Sequence, residues 1–248
     1  MGVYILTAAI CFAGGLIAGA TGFGALLIMI PLLFLYLDMS TAIPVGVLCS
    51  FFIQAQGAII YRSHIQTTFL IPLIVSSLPG VWLGSLLLKY TPEIWLRAVL
   101  GLFFASYAIW SFCSKTEAAT RPPAMIWAYI AGFFSGILGG AFGTSGPPAL
   151  IYGTRTGWSP SAMKGTLNTL FALLLTIIIL VYFFHGFYVE KVLLLAAISV
   201  PACFFGGQIG RHLTSKLPPG QYLKLIFLLI LTMSLPMCWP AAKLLIFG

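Results

Sequence analysis

Gly139-Gly-Ala-Phe-Gly-Thr-Ser-Gly-Pro-Pro148 interrupts the middle of an uncharged, apolar run over residues 124–154. Gly19-Ala-Thr-Gly-Phe-Gly24 does the same to a run over residues 3–37. A bilayer-spanning helix needs about 20 apolar residues, so an unbroken helix of either length would overshoot the hydrocarbon core by roughly 20 Å. Each run is therefore expected to break at its glycines. Irregular backbone at membrane depth is tolerated only where protein or a wet cavity satisfies its N–H and C=O groups. The two breaks are the first functional candidates.

The rest of the sequence supports a lipid environment. Of 248 residues only sixteen are charged, twelve basic and four acidic, and 60% are hydrophobic. The mean hydropathy is +1.08. An ordinary soluble domain carries about 25% charged residues, so this chain lacks the polar surface a water-facing fold requires. Its net charge of +8 is spread singly from Arg62 to Lys243, which fits membrane loops and gives no basic stripe for nucleic acid. Cys11, Cys49, Cys113, Cys203 and Cys238 form no CxxC, so neither a disulfide framework nor a zinc site is implied. No metal or cofactor is expected. The N-terminal MGVYILTAAI has no basic leader and no myristoylation signal, and reads as a retained membrane segment.

Eight hydrophobic segments can be counted, over 3–37, 42–61, 66–88, 94–113, 124–154, 160–184, 188–210 and 220–238. The expected fold is an all-α polytopic membrane protein. A shift of 117 residues lays Gly15, Gly19, Gly22 and Pro31 on Gly132, Gly136, Gly139 and Pro148. Small register changes add Ser40 and Gly46 on Ser159 and Gly165, and Gly80 and Gly84 on Gly206 and Gly210. The chain thus reads as two membrane repeats, 1–120 and 121–248, which together form one transport unit. Each has a glycine-broken long helix or re-entrant hairpin followed by three spans. Paired broken helices in duplicated halves are the pattern of secondary transporters. The spaced GxxxG pairs at 15–19, 80–84, 132–136 and 206–210 are read as helix-packing contacts.

Basic residues arbitrate the topology. If each long run crosses once, they divide seven to five between the two sides. If each is a hairpin, Arg62, Lys115, Arg121, Arg155, Lys164, Arg211, Lys216 and Lys224 face Lys89, Arg97, Lys191 and Lys243, eight to four. The positive-inside rule favours the hairpins. With three further spans after each, the repeats are then inverted, with both termini outside.

The glycine-rich break followed by Pro31, its second copy ending Gly-Pro-Pro148, and Lys164-Gly165-Thr166-Leu-Asn168 resemble the sulfite exporter TauE/SafE family over almost the whole chain. The first repeat departs by having Ala25-Leu26 where a longer glycine string is typical. The resemblance implies a multi-pass permease of the bacterial inner membrane for sulfur-containing anions such as sulfite, sulfonates or sulfoacetate.

Physical chemistry gives such anions a site. Helices beginning near Ala25 and Pro147 would aim unpaired N–H groups and about +0.5 of a charge at the membrane centre, where anions bind readily. The substrate-binding set expected on these grounds is Thr21, Gly22 and Gly24 of the first break, and Gly143, Thr144, Ser145 and Gly146 of the second. Ser50, Gln54, Asn168 and Lys164 complete it. Asn168 and Gln54 follow the equivalent helix-start glycines Gly165 and Gly46, and their amides can donate twice. Lys164 would attract an anion to a cavity mouth. The remaining intramembrane serines and threonines read as interhelical hydrogen-bonding groups.

No Asp, Glu or His lies inside a span to couple protons, and His64, His185 and His212 fall at segment ends. Outward movement of a monovalent anion gains about 2.3 kcal/mol per 100 mV of inside-negative potential. Export is therefore favoured without a coupling ion. Two other classes stand beside a carrier: a passive anion channel, which the same broken helices could build, and an intramembrane enzyme. The chain has no HExxH, no GxSxG and no paired carboxylates, so enzymatic activity is not expected. The sequence leaves monomer and homodimer open as assemblies.

Overall fold

The computed structural model describes residues 2–22, 24–113 and 124–213, without the side chains of 111–113, together with residues 231, 232, 234, 237, 239 and 243. Its elements are α1 (Gly2–Thr21), α2 (Ala25–Leu33), α3 (Met39–Ile60), α4 (Thr67–Tyr90), α5 (Glu93–Cys113), α6 (Met125–Phe142), α7 (Gly146–Thr154), α8 (Pro160–Phe184) and α9 (Glu190–Leu213), with a single 3₁₀ turn over Arg62–His64. Seven of these helices are long and apolar enough to cross a membrane. The two that are not, α2 and α7, have nine residues each and rise only about 14 Å. The eighth segment expected over 220–238 lies almost wholly outside the described residues.

Both long runs break where the glycines stand, and both fold back. Tyr36 Oη donates to Thr7 Oγ1 at 3.2 Å, so the chain leaving α2 returns to the end of the molecule where α1 begins. A Cβ on Gly14, in the middle of α1, would run into the side chain of Met29 on α2. These contacts require α2 to lie antiparallel along α1; a straight continuation would put the residues far apart. In the second run, α7 packs along α6, and residues from Trp127 to Arg155 share one groove. Each long run is therefore a hairpin of one spanning helix and one short helix, the arrangement that the count of basic residues favours over a single crossing.

The helices pair across the two halves of the chain. α1 packs on α9, α4 on α6, and α3 on α8. The first two interfaces are backbone to backbone. Added Cβ atoms at Gly15 and Gly19 would strike the carbonyls of Cys203 and Gly207; at Gly132 and Gly136 they would strike those of Leu73 and Ser77. GxxxG here allows close packing, as its sequence reading expected.

Polar contacts define two ends. At the first, Arg97 Nε donates to Glu93 Oε1 at 2.7 Å and its Nη1 to the Phe34 carbonyl at 2.9 Å, while Lys191 pairs with Asp38 at 3.3 Å. Burial pushes the Asp38 carboxyl up, but hydrogen bonds from Ser40 and Thr41, its own backbone and the Lys191 charge outweigh that and hold it well below the usual carboxylate range. At the second end, the Gln66 N–H donates to Thr166 Oγ1 at 2.9 Å, joining the α3–α4 turn to the start of α8.

Candidate functional site

Each break is shaped by glycine in a backbone conformation that other residues adopt only at a cost. Gly24, at φ +91°, is the N-cap of α2. Gly143, at φ +73°, closes α6 by donating its N–H to the Gly139 carbonyl at 2.8 Å. The next carbonyl of the severed ladder, Gly140, accepts 2.8 Å from the buried Tyr182 hydroxyl of α8, which anchors the second break to a spanning helix. Neither α2 nor α7 receives a side-chain cap at its first turn. Their leading N–H groups have no partner within the helix. α7 has fewer of them, because Pro147 and Pro148 bring none.

The two breaks meet around a cavity of about 30 Å³, space for roughly two water molecules. Gly24, Ala25, Leu26 and Leu27 line it from the first break, and Gly143, Thr144, Ser145 and Gly146 from the second. α3 contributes Ser50 and Gln54, and α8 contributes Phe171 and Leu175. The polar members are nearly sealed from the exterior, Ser50 at 1%, Thr144 at 2%, Gln54 at 5% and Ser145 at 6% exposure. Ser50 Oγ, Gln54 Oε1 and Ser145 Oγ have no hydrogen-bond partner within the described protein. Leaving such a group unsatisfied costs about 1–3 kcal/mol, so three around one cavity mark a place built to meet something polar. A Cβ at Gly146 would meet nothing within 4 Å; that residue faces open space.

Of the eleven residues expected from the sequence, seven line this cavity: Gly24, Gly143, Thr144, Ser145, Gly146, Ser50 and Gln54. The other four do not. Thr21 Oγ1 donates to the Ile17 carbonyl of its own helix at 2.9 Å. Asn168 Nδ2 donates to the Lys164 carbonyl at 2.7 Å, and its Oδ1 lies against Gly57, so its amide braces α8 on α3. Gly22 abuts the aliphatic stem of Lys164, with a Cβ position 3.2 Å from Cγ. The Lys164 ammonium lies 5.8 Å from the centre of the Tyr61 ring. Lys164 therefore touches the far side of the first break, two residues from the cavity wall.

Sequence reasoning missed the apolar wall of Phe171 and Leu175 and the Tyr182 anchor. In an apolar helix only their one-turn spacing distinguishes the first two, and Tyr182 resembles an interfacial aromatic. The serines and threonines read as hydrogen-bonding groups mostly bond back to their own helices: Ser76 to Pro72, Ser77 to Ile74, Thr169 to Gly165 and Thr176 to Ala172. Among the described residues, no group of three or more His, Cys, Asp or Glu is arranged to hold a metal.

The pattern of one family, Sulfite exporter TauE/SafE, matches residues 6–237. A protein of Cupriavidus necator named probable sulfite/organosulfonate exporter TauE is 24% identical over 184 residues, covering 72% of this chain and 70% of the relative. No solved structure matches the chain.

Proposed function

The chain belongs to the sulfite exporter TauE/SafE family, and from that premise we propose that it is a secondary permease that carries small sulfur oxyanions or organosulfonates outward by alternating access. It is a multi-pass membrane transporter, of a family of exporters and not of enzymes. The anion, of the sulfite, sulfonate or sulfoacetate kind, is held where the N-termini of α2 and α7 face each other. The observation that carries this reading is the cavity between Gly24 and Gly143–Gly146, rimmed by the unpartnered Ser50 Oγ, Gln54 Oε1 and Ser145 Oγ. The Ser145 hydroxyl and the first N–H groups of each helix donate to sulfonate oxygens, and the Gln54 amide turns its NH₂ inward to do the same. At about 30 Å³ the cavity is smaller than an organosulfonate, so loading requires one side to open, and release the other.

Two inverted repeats of about 120 residues supply the moving parts. The packing supports this: exchanging α1–α4 with α6–α9 turns the α1–α9 interface into α6–α4, and leaves α3–α8 facing itself. By the positive-inside rule the end bearing Arg62, Arg155, Lys164 and Arg211 is cytoplasmic, in a bacterial inner membrane. Outward flux of a monovalent anion then runs down the membrane potential.

Transport of labelled sulfite, a small sulfonate and an unrelated inorganic anion in proteoliposomes at clamped potential tests the proposal. The expected result is saturable flux of the sulfur anions, accelerated by anion on the opposite side. Non-saturating flux without that acceleration would make the protein a channel. Movement of cations or neutral solutes alone would overturn the reading.

A further inference from the structure

The start of α5 is tied down, and the rest stands off from its neighbours. Glu93 Oε1 accepts from the Met39 N–H at 3.2 Å, and Arg97 donates to the Phe34 and Leu37 carbonyls at 2.9 and 3.1 Å. Yet α5 makes no extended contact with another described helix, and a groove of about 840 Å³ opens between it and the α6–α7 hairpin. Phe103 and Trp110 of α5, Trp127 and Phe134 of α6, and Pro148 and Ile151 of α7 are among its walls. Trp127 and Phe134 are more than half exposed, at 57% and 52%. From Trp127 to Leu138 the α6 wall climbs about 16 Å, half of the ~30 Å hydrocarbon core and so the depth of one leaflet. The deep end is at Pro147 and Pro148, where α7 starts. The shallow end lies where α5 finishes and α6 begins, with Trp110 and Trp127 at interfacial level. Arg155 lines the groove there. It is exposed, and among the described residues no carboxylate pairs with it. One turn earlier on α7, the hydroxyl of Tyr152 is buried without a hydrogen-bond partner in the described protein, a second unmet donor in the same wall.

We propose that this groove holds an anionic phospholipid of the leaflet at the Arg155 end, with an acyl chain along α6 and the headgroup phosphate on Arg155. The walls are apolar over the depth that an acyl chain occupies, and the guanidinium stands where the headgroup lies. A planar fork of donors suits a phosphate, and basic pockets between spanning helices select anionic headgroups. A zwitterionic headgroup brings its own ammonium to compete with the arginine. The described acids, Asp38, Glu93 and Glu190, stand at the opposite end, so a second copy packed side by side brings none of them to Arg155. Gly146 lines the central cavity and Pro147 the groove, so the lipid backs the start of α7 and steadies the second break. This site goes beyond the transport reading and does not depend on it.

The test is thermal unfolding of the full chain, purified in a non-ionic detergent, with phosphatidylglycerol, phosphatidylcholine or inorganic phosphate added. The proteins compared are wild type, Arg155→Gln, Arg155→Lys and Ile130→Trp, which fills the groove from the α6 wall. Phosphatidylglycerol at roughly a hundredfold excess over its Kd should raise the wild-type melting temperature by about 5–10 °C. Phosphatidylcholine and inorganic phosphate should raise it by less than about 2 °C. Arg155→Gln and Ile130→Trp should lose most of the rise, and Arg155→Lys, which keeps the charge, should retain the larger part. Native mass spectrometry should find phosphatidylglycerol retained on wild type and absent from Arg155→Gln. An equal rise from phosphatidylcholine or from inorganic phosphate, or an undiminished rise in Arg155→Gln, would overturn the proposal. So would conversion of a dimer to a monomer by Ile130→Trp with the lipid response intact, which would give the groove to a second copy. None of these outcomes touches the permease reading, which flux decides.

Discussion

The two interruptions that face each other at the cavity are built from similar material and furnished differently. The first brings main-chain donors: α2 opens Gly24-Ala-Leu-Leu with its N–H groups intact and no hydroxyl in the cavity wall. The second brings side chains: Thr144 and Ser145 stand in the wall, and two prolines remove N–H groups from the first turn of α7. A negatively charged guest between them would be met by a helix end on one side and by hydroxyls on the other. The spanning helices differ in the same way, α3 giving the wall Ser50 and Gln54 and α8 giving it Phe171 and Leu175.

The contrast is open to experiment, first through backbone strain. Gly143→Ala forces a left-handed conformation and brings a Cβ to 3.0 Å from Val47 Cγ2, whereas at Gly24 the nearest atom, Leu27 Cδ1, is 3.8 Å away. Each substitution should cost about 1–2 kcal/mol in strain. Gly143→Ala should be the more damaging, with the larger fall in melting temperature of the purified protein. Equal falls would mean that the surrounding packing gives way freely.

Hydroxyl loss comes next. Ser145→Ala and Thr144→Val should each reduce sulfite flux about tenfold, the worth of one hydrogen bond to a charged ligand. Thr21→Val should change it less than about twofold, since that hydroxyl already serves the Ile17 carbonyl. A result in the opposite order would transfer the donor role to the first break. Gly146→Ala places a methyl in open space at a helical position, so flux should fall several-fold while the melting temperature holds within about 2 °C. The smallest effect is expected at Asn168→Ala, within about threefold in flux, because its amide bonds the Lys164 carbonyl.

Much of this organisation could be read from the chain. The length of the uncharged runs and their glycines located both breaks, and the count of basic residues favoured the hairpins that Tyr36 and Thr7 display. The split of Arg62, Arg155, Lys164 and Arg211 from Lys89, Arg97 and Lys191 also follows that count. Side-chain direction was less legible. Thr21 and Ser145 each end or begin a broken segment beside glycine, and composition alone does not reveal that one turns back to its own helix while the other faces the cavity. Asn168 followed a helix-start glycine as Gln54 did, yet it braces a helix contact, because the opposing residue across that interface is Gly57, small enough to admit an amide.

The exchange of partners between halves has a consequence for biosynthesis. Gly15 and Gly19 of α1 meet the backbone of Cys203 and Gly207 in α9, so α1 waits for a helix made some 170 residues later before its close-packed face is covered. Until then its bare glycine stripe is open to wrong helices or lipid, the exposure that makes distant pairings slow and error-prone. A nascent chain stalled after α5 should accordingly be a substrate for membrane quality-control proteases, while separately expressed halves should survive only when made together.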